Sequence, residues 1–498
     1  MTALGLLTQA TGRGAELDGL PSVAGKTRTK VVILGAGIAG LTTAYELGKL
    51  GFDCVVLEPR DRPGGRSMTL RRGDSITETN GFTQTCNFDD GLYFNPGPSR
   101  FPQWHVTMDY CRELGVAVQP FVNLNDNAYY QTTGNGGALD GRRVRIREAK
   151  TDLRGYTAEL LAKVADQEKL DADLSSEDAE RLVEFLRYEG GLSKTLAYRG
   201  HNRRGYRTWP GGGLQEGKMD DPFPLSDLLQ SEVWKYFHRA NEYQYQAQMF
   251  APVGGMDQLP TALAAQVSDQ IIYGAEVTEI RRRTPGARIA YTHDGAEHEI
   301  LADYAVCTIP PTILRKLPTD FSPMLRNTLN IVPFQNSAKI GLQFKRRFWE
   351  EDDRIYGGLS WTNLPIGELW YPSDGFMGAK GIMGGYYLFG PASDQLGQSS
   401  PAERIEFALQ HGEKIHPQYR AEFENAFSVN WSTIPHIEGC LAHFPQAMMK
   451  TFYPLLVKPE GELYIAASWA SHLGGWQAGA FEAARLTVKS IHERTMAS

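Results

Sequence analysis

Two apolar patterns follow one another near the start of the chain. Val31-Val32-Ile33-Leu34 is an unbroken apolar run, the pattern of a parallel strand buried on both faces. Ala39 to Leu50 is rich in helix formers, and Gly51 stands where such a helix stops. Cys54 to Leu57 is a second apolar strand. Strand, glycine turn, helix and strand are therefore predicted in that order. Further along, Pro102 is placed as the first residue of a helix running to Leu114, with Gly115 ending it. Lys150 to Tyr198 is charged and periodic, with few turn formers before Gly190-Gly191, and predicts a helical insertion. Gly200 to Asp221 reads as loop, and Pro224 to Gln248 as helix again, with Trp234, Phe237 and Tyr245 on apolar faces. A glycine turn at Val253 to Pro260 leads into a helix from Thr261 to Val267, then strands at Ile271 to Tyr273, Glu276 to Ile280 and Tyr304 to Ile309. Asn336 to Phe344 alternates like a strand, and the glycine- and aromatic-rich stretch Tyr356 to Tyr387 predicts more antiparallel sheet. Leu463 to Ala467 is a last strand, followed by a glycine turn and a long helix from about Gln477. Met1 to Thr29 reads as a loosely ordered lead-in.

A chain of 498 residues exceeds one simple core, so about two or three domains are expected. Hydrophobic content of 42% with 11% aromatic residues is that of a globular enzyme. The net charge of −7 argues against a nucleic-acid partner. Arg203-Arg204 and Arg281-Arg282-Arg283 sit beside turn formers and read as solvated surface. Five scattered cysteines without a CxxC pair imply reduced, buried thiols, and the histidines show no ligand spacing, so no metal is expected. The first 27 residues lack a basic segment followed by an apolar core, no run is apolar enough to span a bilayer, and the end from His492 is polar. A soluble cytoplasmic protein without a membrane partner is the expectation.

The turn between the first strand and helix is Gly35-Ala36-Gly37-Ile38-Ala39-Gly40. Its first glycine permits the tight turn, its second lets backbone approach a pyrophosphate, and its third lets helix and strand pack closely. Glu58 follows at about the usual 20-residue offset of an acid that accepts hydrogen bonds from a ribose. Next comes Arg60-Asp61-Arg62-Pro63-Gly64-Gly65-Arg66, where paired glycines expose backbone N–H groups and Arg66 can fork onto a phosphate. A nicotinamide enzyme does not need this second phosphate element.

Gly35 to Gly40, Glu58 and Gly64-Gly65-Arg66 together resemble the start of the flavin-dependent amine oxidases, a family that includes monoamine, polyamine and L-amino acid oxidases. The resemblance runs from about Lys30 to Arg494 and is most similar to the L-amino acid oxidases. It implies an α/β fold: a Rossmann-like FAD-binding domain over residues 29–80, 248–332 and 455–495, an interleaved mixed-sheet substrate domain over 81–141 and 333–454, a helical insertion over 142–247, and a lead-in over 1–28. FAD is the implied cofactor, held by Gly35, Gly37, Ala39, Gly40, Glu58, Arg60, Gly64, Gly65, Arg66, the Gly97-Pro98-Ser99 turn, the backbone of Val277 at the adenine, Ser468, Gly475 and Trp476. A homodimer or higher homo-oligomer is implied as well.

The same resemblance assigns the reacting end. Arg100, read as lying at the start of the helix after Pro102, matches the arginine that grips the substrate α-carboxylate. Tyr371 supplies a second hydrogen bond to that carboxylate. The Gly475 carbonyl accepts from the amine, and Trp476 walls the pocket. Lys339, inside an otherwise apolar strand, matches the lysine that holds a water at flavin N5. One departure stands out: Ala467-Ser468 occupies a place where an acidic residue is common in the family. The implied reaction is oxidative deamination of an L-amino acid to a 2-oxo acid and ammonia, with hydride transfer from Cα to flavin N5 and oxygen leaving as hydrogen peroxide. Amine or polyamine oxidation, amino acid 2-monooxygenation, and a flavin-bearing binding protein without turnover are the alternatives. The aromatic and glycine lining points to large apolar substrates.

Overall fold

The computed structural model describes residues 17, 20, 29–167, 174–240 and 242–497. The lead-in expected over 1–28 thus lies outside the described residues apart from positions 17 and 20. Lys30–Leu34 is the central strand of a five-stranded parallel sheet, in the order Leu463–Ile465, Tyr304–Cys307, Lys30–Leu34, Asp53–Glu58, Ile271–Tyr273. Parallel neighbours need crossover connections, so this sheet gathers strands from the beginning, middle and end of the chain.

Alternation along these strands sets two cores. Val31, Ile33, Val56, Val306 and Tyr464 face the helices Ile38–Lys49 and Gln477–Ala497, meeting Leu41, Leu47, Phe481 and Val488. Val32, Leu34, Leu57, Ala305 and Cys307 face the other way, onto an antiparallel sheet of Glu276–Arg282, Ala287–His293 and Ala296–Ala302, through Ile280, Ile289 and Ile300. Burial of both faces explains why Val31 to Leu34 is unbroken by a polar residue.

The second unit is built on a seven-stranded mixed sheet in the order Phe423–Asn430, Ser337–Phe344, Gly381–Phe389, Glu368–Tyr371, Gly358–Thr362, Tyr129–Gln131, Arg143–Arg145. Its pairs are antiparallel except Gly358–Thr362 with Tyr129–Gln131. Every residue of Ser337–Phe344 is buried, Lys339 among them. The insertion is a helical hairpin, Ile146–Asp166 and Ser176–Gly190, the second helix capped by Ser175 and closed by Gly191 in the left-handed region.

Three expectations need correction. The helix after Arg100 starts at Val106 rather than Pro102, with His105 as N-cap, so Arg100 lies in an extended segment and not at a helix start. The helix expected over Pro224 to Gln248 breaks into Leu225–Ser231 and the 3-10 turn Val233–Ala240, because Glu232 is left-handed and Tyr236 and Phe237 stack on Tyr130 at 5.8 and 5.6 Å. The chain then runs into the strand Gln248–Pro252, paired antiparallel with Val118–Val122. Finally, Arg203 and Arg204 divide: Arg203 is exposed, whereas Arg204 is buried against Asp152 at 2.8 Å. Asp152 also accepts from the Tyr198 hydroxyl at 2.6 Å and the Phe223 N–H at 2.9 Å, so this buried charge ties the 200–221 loop to the hairpin.

The four cysteines Cys54, Cys86, Cys111 and Cys307 are buried, Cys440 is half-buried, and all five are free thiols. Among the described residues no helix is long and apolar enough to cross a membrane.

Candidate functional site

One cavity of about 540 Å³ joins the two units. At one end the two glycine turns lie against each other. The Gly64 N–H donates to the Ala36 carbonyl at 2.8 Å, and Gly37 bridges Gly64. Glu58 fastens both turns: one carboxylate oxygen accepts the Ala36 N–H at 2.8 Å, the other accepts Arg60 Nε at 3.0 Å and its backbone N–H at 3.3 Å. Gly35 holds φ +110°, and Gly64 +101°, conformations that glycine alone adopts freely. Leu57, Val277, Ile309, Ile313 and Leu317 add apolar surface to the same cavity.

These residues fit a dinucleotide. A Cβ built at Gly37 meets nothing within 4 Å, and Gly37 lines the cavity, so the missing side chain leaves room for a ligand to touch backbone. Gln477, at the start of the last long helix, donates to Ser67 Oγ at 2.9 Å, while its buried Oε1 has no hydrogen-bond partner among the described residues and its side chain lines the cavity. Of the cofactor residues named from sequence, Gly35, Gly37, Ala39, Glu58, Arg60, Gly64, Gly65, Arg66, Gly97, Pro98, Ser99, Val277, Ser468, Gly475 and Trp476 all line this cavity. Gly40 does not; it lies under the turn, where a Cβ would stand 1.9 Å from the Gly35 carbonyl oxygen.

The Ala467-Ser468 departure acquires a partner. Arg66 donates to Ser468 Oγ at 2.8 Å and to the Cys440 carbonyl. No carboxylate of the described residues lies within 4 Å of its guanidinium. Burial pulls the Arg66 pKa down, the response of a desolvated cation without a counter-ion. A serine accepts a hydrogen bond but brings no charge, so the Arg66 guanidinium keeps its charge uncompensated by an acid beside the cavity.

At the other end Lys339, 5% exposed, points out of its strand into the cavity. Its ammonium donates to the Gly97 carbonyl at 2.6 Å and to Ser99 Oγ at 3.0 Å, leaving one N–H uncommitted among the described residues. Burial, assisted by the charge of Arg100, pulls its pKa down to about 7. Arg100 stands in an aromatic enclosure: its guanidinium lies 4.3 Å from the Trp370 ring centroid, 5.4 Å from Tyr245 and 5.9 Å from both Phe121 and Trp476. It donates from Nε to Asn123 Oδ1 at 3.3 Å and has no carboxylate within 4 Å among the described residues.

Tyr371 is not part of this group. Its hydroxyl is buried on the far side of the strand, 2.7 Å from Ser360 Oγ and 2.7 Å from His416 Nε2. His416 continues to Asp353 at 2.9 Å, which also accepts from Tyr129 at 2.6 Å. Burial keeps the imidazole pKa down against the pull of Asp353, so this is a neutral core relay that fixes the strand rather than a substrate contact. The physical reason is period two: the neighbour Trp370 turns toward Arg100, so Tyr371 must turn away. Two phenols do line the cavity: Tyr245, and Tyr387, which pairs with Lys339 across the sheet and has its ring centroid 4.2 Å from the ammonium. The same alternation sets Glu368, which lines the cavity, on the side of Trp370, whose indole N–H donates to it at 2.8 Å. Neither Tyr387 nor Glu368 was singled out from sequence, although two-residue spacing from Trp370 would have marked Glu368.

Residues 38–492 match the family model described as flavin containing amine oxidoreductase. Among curated relatives, an L-amino-acid oxidase of Pseudechis australis is 26% identical over 474 residues, covering 90% of this chain and 83% of the relative. The L-amino acid oxidase bordonein-L of Crotalus durissus terrificus is 27% identical over 462 residues, with the same coverage of 90% and 83%. Among solved structures, a mutant of putrescine oxidase superposes with a TM-score of 0.63 at 18% identity, over 94% of this chain and 99% of that one. Cyclohexylamine oxidase from Brevibacterium oxydans IH-35A gives 0.61 at 19% identity, over 94% and 100%. These two likenesses establish the shared fold.

Proposed function

Since the chain belongs to the family of flavin containing amine oxidoreductases, with FAD as its cofactor, we propose that it oxidises L-amino acids to 2-oxo acids, ammonia and hydrogen peroxide. The observation that carries this reading is Arg100: a guanidinium half-enclosed by four aromatic rings, without an acid of its own, at the reacting end of the cavity. A planar fork in that setting matches a carboxylate, which simple amines lack.

When bound, FAD supplies the two-electron acceptor that takes hydride from Cα and passes both electrons to oxygen. Arg100 holds the α-carboxylate, and the Gly475 carbonyl accepts from the amine. Trp476 and Tyr245 keep water from the reacting carbon and limit its orientation. The Tyr387 hydroxyl takes the place first given to Tyr371 as the phenol at the carboxylate. Lys339, fastened to Gly97 and Ser99, keeps its remaining N–H and its charge at the reacting end.

The deciding assay is peroxide release across L-amino acids, D-amino acids and simple amines, run beside anaerobic bleaching of the yellow enzyme. Bleaching and peroxide with L-amino acids are expected; turnover of amines alone would defeat the reading, and amide in place of peroxide would make the protein a monooxygenase.

Lys339 gives a pH dependence. A lysine titrating at about 7 is charged below that pH and neutral above it. The expected result is that kcat/KM for oxygen declines as pH rises through about 7, and that Lys339→Met lowers it on the order of 100-fold and flattens the profile. A wild-type profile that stays flat from below to above this range would remove the role.

A further inference from the structure

Glu368 is 9% exposed, and its carboxylate faces the same cavity as Arg100 and Lys339. One of its oxygens accepts the Trp370 indole N–H at 2.8 Å. The other has no hydrogen bond among the described residues, and no lysine, arginine or histidine of them lies within 4 Å of the carboxylate. Its charge reaches the Lys339 ammonium across the cavity and favours the charged lysine, but no direct ion pair closes on the carboxylate, and a buried acid left open in this way is completed by a bound cation. Around it the wall is aromatic: Trp361 is its cross-strand neighbour, Trp370 holds it, and Tyr387 stands on the adjacent strand. Rings facing a cavity beside a lone carboxylate form a seat for a cation.

The geometry orders the two charges. Trp370 presents its face to the Arg100 guanidinium and its indole N–H to Glu368, so one ring separates an anion-binding group from a cation-binding group. A ligand that satisfies both carries a carboxylate at one end and a positive charge several bonds away. Arg239 and Glu242, contributed by the insertion, also line the cavity but are exposed, where water screens them. Glu368 is the charged side chain that burial makes selective.

We infer that Glu368 receives the cationic end of the substrate side chain, so that the preferred substrates are L-amino acids bearing an ammonium or guanidinium group, L-lysine and L-arginine above all. This rests on the L-amino acid reading of the preceding section and replaces the expectation of large apolar substrates, which considered the rings without the acid among them.

The test pairs each cationic substrate with a neutral one of the same length: L-lysine with L-norleucine, which lacks only the terminal ammonium, and L-arginine with L-citrulline. Wild-type kcat/KM is expected to favour the cationic member of each pair by more than about tenfold. Glu368→Gln, checked for flavin content, is expected to lose on the order of 30- to 1000-fold on L-lysine and at least about tenfold less than that on L-norleucine. Equal losses on both would make Glu368 a support for Trp370 and overturn the inference. So would a wild-type enzyme that handles L-norleucine as well as L-lysine, a comparison that needs no variant. Turnover of simple amines with neither L-lysine nor L-norleucine oxidised would remove the preceding reading, and this one with it.

Discussion

Arg100→Ala is expected to lower kcat/KM for L-amino acids by on the order of 30- to 3000-fold with flavin content unchanged. The direction follows from what surrounds the guanidinium. Its one side-chain acceptor among the described residues is Asn123 at 3.3 Å, and everything else within reach is ring surface. In that enclosure a carboxylate has no other fork to bind, so truncation leaves the substrate anion desolvated and unpaired. Arg100→Lys is expected to recover part of the loss, because it restores the charge without the planar pair of donors. Oxidation of a simple amine, if the enzyme performs it, should not fall. A second readout is independent of affinity. Arg100 is one of the charges that depress Lys339, so its removal moves the pH limb for oxygen upward from about 7 toward the ordinary lysine range. Unaltered kinetics on L-amino acids would end the carboxylate assignment. A changed affinity with the pH limb in place would separate the two roles.

Much of the nucleotide-binding half was legible in the sequence because its constraints are local. Val31 to Leu34 is apolar throughout because both sheet faces are covered, Gly35 is required by its own positive φ, and Gly40 by the Gly35 carbonyl five residues before it. The reacting end was legible only in part. Leu369-Trp370-Tyr371 is apolar or aromatic at each position, so nothing in it says which side chain faces the cavity; the sheet decides, and it turns Trp370 inward. His416 and Asp353, which hold Tyr371 from behind, are 63 residues apart and meet only after folding. Pro102 is a reasonable helix start by its own geometry, yet the backbone of Phe101 pairs with Phe250 in both directions and keeps the segment extended. Glu368 was passed over because a glutamate before an apolar strand ordinarily faces water.

Arg66, Arg100 and Lys339 line a single cavity, and none has a carboxylate within 4 Å among the described residues. Three buried or half-buried cations without acids are unfavourable in the protein alone. Burial lowers the pKa of both Arg66 and Lys339. A cavity with that charge favours anions, and in the proposed reading Arg66 meets the cofactor's and Arg100 the substrate's. Ser468 gives Arg66 a hydrogen bond but no counter-charge. Glu368 reverses the sign at one point of the wall, which is the contrast the proposed cationic seat rests on.

Gly37→Ala and Gly40→Ala should fail in opposite ways. At Gly37 the backbone is ordinary extended chain, φ −74° and ψ 177°, and an added Cβ meets no protein atom within 4 Å. The apoprotein should therefore melt at the wild-type temperature. The methyl group instead occupies the space through which a pyrophosphate approaches the backbone, and overpacking there by about 1–3 kcal/mol weakens FAD binding roughly 5- to 150-fold. At Gly40 the Cβ would stand 1.9 Å from the Gly35 carbonyl oxygen and 3.2 Å from the Ile33 side chain. Neither backbone can yield without moving the turn off its strand, and the gain of about 1 kcal/mol in helix propensity from alanine does not offset that. Gly40→Ala should lower the melting temperature of the apoprotein and lose FAD together. Thermal denaturation of the flavin-free proteins and fluorescence titration with FAD read the two effects separately. A Gly37→Ala protein that binds FAD like wild type would mean the pyrophosphate does not cross that backbone, and the assignment of the first glycine turn would have to be abandoned.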